Sequence, residues 1–194
     1  MSTLRLDSRL ISLREEAKQV RDPTCCDEVL ALLLKIARKS THILEIGAAE
    51  GLTSIAMHLA TGARITAIEA DGARAECMRR NLKEFGIEGA VCLHEGDAGE
   101  ILPMLEGVFD LIFLDGPKAQ YKRYFPECKR LLKRGGYLVS DDILLYGWVR
   151  GEPPKKRRML VEHIREYLTM IESDPDLETQ IYEYGEGVAV SHRK

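Results

Sequence analysis

Six carboxylates and one lysine carry the chemistry that this sequence can offer: Glu45, Glu69, Asp97, Asp115, Asp141, Asp142 and Lys118. Asp115 closes one aliphatic run, the Asp141-Asp142 pair closes the next, and Lys118 follows Asp115 by one helical turn. Like charges brought together raise one another's pKa unless a cation is present. A hard divalent ion such as Mg²⁺ answers that need, since oxygen ligands hold it and it keeps positions for water or a substrate oxygen. The expected metal ligands are therefore Asp115, Asp141 and Asp142, and the chemistry is activation of a hydroxyl, whose pKa a bound metal lowers. Asp115, Asp141 and Lys118 are the candidate catalytic residues, with Lys118 either accepting a proton or positioning the acceptor. Simpler roles stay open: one of the Asp141-Asp142 pair could cap a turn, and Lys118 could be a solvated surface lysine.

These groups meet only if the fold carries them to one edge, and the pattern from Thr41 onward does so. Five nearly continuous apolar runs, His42–Ile46, Arg64–Glu69, Ala90–Leu93, Phe109–Asp115 and Gly136–Asp141, read as strands covered on both faces. Helix-like stretches such as Gly72–Phe85 and Tyr121–Leu132 separate them, with Gly86 and Gly135-Gly136 as stop signals. After Pro153-Pro154, Leu160, Ile164, Tyr167, Leu168 and Ile171 recur at helical spacing until Asp174-Pro175. Two last runs, Leu177–Tyr184 and Val188–Ser191, flank the hairpin signal Gly185-Glu186-Gly187. The expected architecture is α/β: a Rossmann-like, doubly wound, mostly parallel seven-stranded sheet with an antiparallel C-terminal hairpin. It forms one domain over residues 1–194, in which residues 1–40 are a helical part of one or two helices.

The first strand runs into Glu45-Ile46-Gly47-Ala48-Ala49-Glu50-Gly51, a glycine-bearing turn of the kind where open α/β sheets bind nucleotide-like ligands. A tight turn with no ligand would use the same glycines. The three-glycine dinucleotide pattern is absent, and Glu45 stands where a pyrophosphate would otherwise sit. A carboxylate there repels phosphate and attracts an ammonium and a sulfonium, which points to S-adenosylmethionine and away from a nicotinamide dinucleotide. Glu69 ends the second strand, from which an acid reaches ribose hydroxyls, and Asp97 could meet the adenine side. Asp97 and Asp71 also have the type and position of helix caps.

Taken together, Leu44-Glu45-Ile46-Gly47-x-x-x-Gly51, Glu69, Gly96-Asp97-Ala98, Phe113-Leu114-Asp115-Gly116-Pro117-Lys118-x-Gln120-Tyr121 and Asp141-Asp142-Ile143-Leu144 resemble the metal-dependent class I O-methyltransferases related to catechol and caffeoyl-CoA O-methyltransferases. The resemblance covers about residues 20–194. Within that group, Gly147-x-Val149, Lys155-Lys156-Arg157-Arg158 and Gly185–Ser191 are most similar to bacterial tRNA 5-hydroxyuridine methyltransferases, which make 5-methoxyuridine at the wobble position. It implies that Asp115, Asp141 and Asp142 hold the metal, that Glu45, Gly47, Gly51, Thr53, Glu69, Asp97, Ala98 and Asp115 line the cofactor, and that the protein is a homodimer. Asp142 departs from the family, which usually carries Asn there, and so adds negative charge to the site.

The whole chain, 194 residues with 45% hydrophobic and 30% charged and a formal net charge of −3, excludes disorder, collagen and coiled coil. The longest aliphatic run, Val29–Leu34, is far too short to span a membrane, and the expected location is the cytoplasm. The small net charge hides an asymmetry: Arg150, Lys155, Lys156, Arg157 and Arg158 cluster just after the carboxylate pair, whereas residues 171–186 carry acids and no base. A basic patch beside Tyr146 and Trp148 suits an RNA loop, whose splayed bases stack on aromatics, so the expected partner is the tRNA anticodon loop. The same residues could instead be the solvated start of a helix, with a small catechol-like phenol as acceptor. A non-catalytic RNA-binding module would leave the carboxylate cluster without a purpose.

Overall fold

The computed structural model describes residues 7–19 and 24–194. Two helices, α1 (Ser8–Gln19) and α2 (Asp27–Ala37), precede the sheet. Residues 1–6 and 20–23 of the expected N-terminal helical part lie outside the described residues. The chain then alternates: β1 (His42–Ile46), α3 (Leu52–Thr61), β2 (Arg64–Glu69), α4 (Gly72–Phe85), β3 (Val91–Glu95), α5 (Ala98–Ile101), β4 (Phe109–Leu114), α6 (Tyr121–Leu131) and β5 (Leu132–Ser140). Helix α7 (Arg158–Ser173) and the hairpin of β6 (Leu177–Tyr182) and β7 (Val188–Arg193) complete it. The seven strands lie in the order β3-β2-β1-β4-β5-β7-β6. The first five pair in parallel and β7 runs antiparallel between β5 and β6, as expected from the sequence.

The order reverses between β1 and β4, whose C-terminal ends therefore frame a crevice, the usual ligand position in an open α/β sheet. Apolar side chains alternate to both faces of β1 and β4, so Ile43, Leu111 and Phe113 join one core while Leu44, Ile46, Ile112 and Leu114 join the other. Each such fully buried side chain contributes about 1.5–3 kcal/mol. Helix α7 buries Val161, Ile164, Tyr167, Leu168 and Ile171, whereas Leu160 is only half-buried and Val161 takes its place on the inner face.

Gly135-Gly136 does not stop a helix: α6 ends at Leu131 and β5 starts at once. Gly135 adopts φ +79° and a Cβ on Gly136 would lie 2.8 Å from the Asp110 carbonyl oxygen, so the pair lets an irregular strand start pass β4. No helix among the described residues is long and apolar enough to cross a membrane.

Candidate active site

The β1 turn is pressed against the end of β4. A Cβ on Gly47, which has φ +88°, would sit 2.5 Å from the Asp115 carbonyl oxygen, so only glycine permits the approach that places Asp115 beside the turn. Gly51 has a different task. It starts α3 in a left-handed conformation against the Met78 side chain and lines neither part of the cleft described below.

A cleft of about 350 Å³ opens above the ends of β1, β2 and β4, lined by Gly47, Glu69, Asp97, Ala98, Asp115 and Lys118 among others. Asp115 and Gly47 also line a smaller adjoining recess with Thr24, Cys25, Glu45 and Thr53. The expected cofactor residues other than Gly51 thus surround one continuous site. A wider groove of about 1270 Å³ opens at the opposite end of the sheet, beside Arg38, Asp110 and Gly135, and holds none of them.

Each acid on the cofactor side already has a donor. The Glu69 Oε2 accepts the Ala49 amide at 2.7 Å and its Oε1 the Asp71 amide at 2.8 Å. Asp97 caps α5 through the Gly99 amide at 2.7 Å, and Asp71 caps α4 through the Ala73 and Arg74 amides, so both are the caps that their types suggested. Glu45 is buried and accepts the Ser54 hydroxyl. Burial pushes its carboxyl up to about 8, against the pull of the Ser54 bond and helped by Asp115 and Glu69. The standing anion expected of Glu45 from the sequence is corrected by its burial, which favours the neutral acid.

The second cluster is crowded. The Lys118 Nζ lies 2.7 Å from Asp115 Oδ1 and 3.2 Å from Asp142 Oδ2, and it donates to the Tyr121 hydroxyl at 3.1 Å. Tyr121, fully buried, donates in turn toward the carbonyls of Leu114 at 2.8 Å and Asp141 at 3.2 Å, which ties together the ends of β4 and β5. Burial favours neutral Lys118, but Tyr121, Asp115 and Asp142 outweigh it and hold the amine well above the ordinary lysine pKa. Lys118 is therefore a firm ammonium here, which favours positioning over proton acceptance.

Burial, with Asp115 and Asp142 nearby, pushes Asp141 up to about 7. Burial also raises Asp115, against Lys118. Asp141 accepts the Asp142 amide at 2.9 Å and forms no ion pair among the described residues.

Three neighbouring carboxylates with a single ammonium, which pairs with Asp115 and Asp142 and not with Asp141, are a donor set whose type and charge suit a hard divalent cation. The preformed cage expected of Asp115, Asp141 and Asp142 is nevertheless not drawn together: Lys118 stands between Asp115 and Asp142. No group of three or more His, Cys, Asp or Glu side chains among the described residues is arranged to hold a metal.

Beyond Asp142 the chain forms an irregular loop in which Asp142, Leu145 and Tyr146 have φ of +54°, +44° and +57°. Tyr146 is 70% exposed, its ring 5.0 Å from that of Trp148. Arg150 pairs with Glu183. Lys155, Lys156 and Arg157 form an exposed 3-10 turn that leads into Arg158 at the start of α7, and none of the four side chains has a hydrogen bond or an ion pair among the described residues. Helix α7 packs against the Lys118–Gln120 turn. Glu186 and Arg165 carry no sequence signal, because their partners lie 40 and 16 positions away, while Ser54, in the helix after the glycine turn, and Tyr121, one turn beyond Lys118, stand close in sequence to the groups they serve.

Comparison with known proteins agrees with this geometry. The family model for O-methyltransferases matches residues 9–194. A caffeoyl-CoA O-methyltransferase of Populus kitakamiensis is 30% identical over 84% of this chain and 74% of its own length. A catechol O-methyltransferase of Niastella koreensis is 33% identical over 63% of this chain and 58% of its own. The O-methyltransferase of Bacillus cereus, solved with S-adenosylhomocysteine, superposes with a TM-score of 0.84 at 22% identity over 100% of this chain and 94% of that one, a likeness of fold. On the family match over nearly its whole length, with its cleft at the switch point of the sheet, this chain belongs to the O-methyltransferase family and is an S-adenosylmethionine-dependent O-methyltransferase.

Proposed function

We propose that the acceptor is the 5-hydroxyl of 5-hydroxyuridine at the wobble position of tRNA, giving 5-methoxyuridine. The observation that carries this reading is the run Lys155–Arg158, four exposed cations without an acidic partner among the described residues. They sit at the positive end of α7, whose first turn has no acid. A helix N-terminus disfavours cations, so a phosphate backbone would relieve a standing repulsion. Tyr146 and Trp148 offer the aromatic faces on which an unstacked base rests.

In the transfer, the acceptor oxygen attacks the methyl carbon in line, the carbon–sulfur bond breaks, the sulfonium becomes a thioether, and one proton is released. Glu45, Glu69 and Asp97 with the Gly47 turn would seat the cofactor, and Asp115 would stand between it and the acceptor. Asp115, Asp141 and Asp142 would hold a divalent cation such as Mg²⁺, which supplies the charge that lowers a hydroxyl's pKa. The Lys118 ammonium, fixed by Tyr121, adds a second positive charge where the acceptor oxygen becomes negative.

A catechol-like phenol is the second reading, favoured by the identity to a catechol O-methyltransferase. Binding to an anticodon stem-loop as a function of salt separates the two. The RNA reading predicts affinity that falls steeply with salt, and a log–log slope that drops by about one for each of Lys155, Lys156, Arg157 and Arg158 changed to Gln. A slope near zero, with pyrocatechol methylated instead, selects the phenol.

A further inference from the structure

Arg165 lies on α7 and reaches the loop that follows the carboxylate pair. Its Nε donates to the Val149 carbonyl at 2.9 Å, and its Nη2 donates to those of Gly151 at 3.0 Å and Trp148 at 3.4 Å. Its Nη1 is 3.7 Å from Glu162 on the same helix. From the other side the β6–β7 turn holds the loop: Ile143 donates to the Gly187 carbonyl at 2.9 Å, Leu144 to that of Glu186 at 2.7 Å, and the Tyr146 amide to the Glu186 carboxylate. Leu145 and Tyr146, with positive φ, lie in the stretch that these two sets of contacts hold, and such a conformation persists in non-glycine residues only where the surroundings impose it. Gly187 lets the turn approach the loop this closely, since a Cβ there would clash with Leu144 Cγ.

We infer that Arg165 is a positioning residue for methyl transfer: its fork over the loop carbonyls of Trp148, Val149 and Gly151 fixes Tyr146 and Trp148 as the wall against which the acceptor is aligned. The planar guanidinium is what the geometry requires, because several donors in one fixed fork reach divergent carbonyls, whereas an ammonium is a compact point charge. The loop continues directly from Asp142, which lines the cleft, so a shift of the wall shifts the acceptor relative to the methyl carbon. That the acceptor rests on this wall follows the reading above; the clamp itself is the same for a nucleobase or a phenol.

Trp148 is the single tryptophan of the chain, so its fluorescence reports the wall directly. The variants Arg165→Met and Arg165→Lys are to be compared with the wild type by acrylamide quenching of Trp148, by S-adenosylmethionine affinity, and by KM and kcat with a 5-hydroxyuridine stem-loop and with pyrocatechol. The expected result is quenching raised about threefold and acceptor KM raised about tenfold in both variants, with cofactor affinity within about twofold of wild type, since small misplacements of a bound reactant are costly. Unchanged quenching and KM overturn the proposal. So does a fall in cofactor affinity equal to the rise in KM, which marks general loosening. Should the wild type methylate pyrocatechol and not the stem-loop, the RNA reading fails, while quenching and the pyrocatechol KM still decide the clamp.

Discussion

At the ends of β1, β2 and β3, Glu45, Glu69 and Asp97 each accept a hydrogen bond from the chain itself, by way of Ser54, Ala49 with Asp71, and Gly99. At the ends of β4 and β5, Asp115 and Asp142 share one ammonium, and Asp141 accepts a backbone amide and has no ion pair among the described residues. Acids of the same type at the same sheet edge are thus settled on one side and under-compensated on the other. The settled side is preorganised for a ligand whose shape is fixed, and the under-compensated side holds charge in reserve for what arrives during the reaction.

Breaking the crowded side should have the largest effect. Asp141→Asn keeps the shape of the buried side chain and removes its charge, and kcat is expected to fall by about 10²–10³-fold with little change in cofactor affinity. Steady-state kinetics beside calorimetric titration of S-adenosylmethionine checks both halves. Equal losses in the two would show that the sides are not separate.

The pH dependence of stability sharpens the comparison. Glu45, at about 8 in the folded protein, binds its proton more tightly folded than unfolded, so its contribution is lost as pH rises from its ordinary value near 4.5 through 8. Asp141, at about 7, has the same sign between about 4 and 7. The ligand-free protein should therefore lose stability on going from pH 5 to pH 8, by up to about 1.4 kcal/mol per pH unit for each group. Denaturant melts across that range test it, and Glu45→Gln should leave a shallower loss due to Asp141 and Asp115. A stability that rises over the same range would contradict the burial argument.

The smallest effect belongs to an acid that is a cap and nothing more. Asp71→Ala should cost about 1 kcal/mol by urea melting and leave kcat unchanged.

The sheet was legible because its strands are apolar on both faces, and the glycine turn, Glu69 and Asp97 were legible because strand ends announce themselves in sequence. Asp71 and Asp97 as caps followed from type and position. Less legible were quantities that depend on three dimensions. Gly135-Gly136 reads as a helix stop, yet the close passage of Asp110 turns it into a bulge. The charge state of Glu45 depends on burial, and that of Lys118 on three neighbours gathered by the fold. Arg165 gave no signal at all, because its partners are backbone carbonyls fourteen to seventeen positions away.

The most direct test of the central claim, that the crowded edge presents an oxygen to a sulfonium methyl, is single-turnover transfer of labelled methyl from S-adenosylmethionine to an anticodon stem-loop carrying 5-hydroxyuridine, with a uridine loop as control. The account predicts label on the 5-oxygen of the hydroxylated loop alone, and its near-complete loss in Asp141→Asn. Label on carbon or nitrogen, equal labelling of the control, or undiminished transfer by the variant would contradict it.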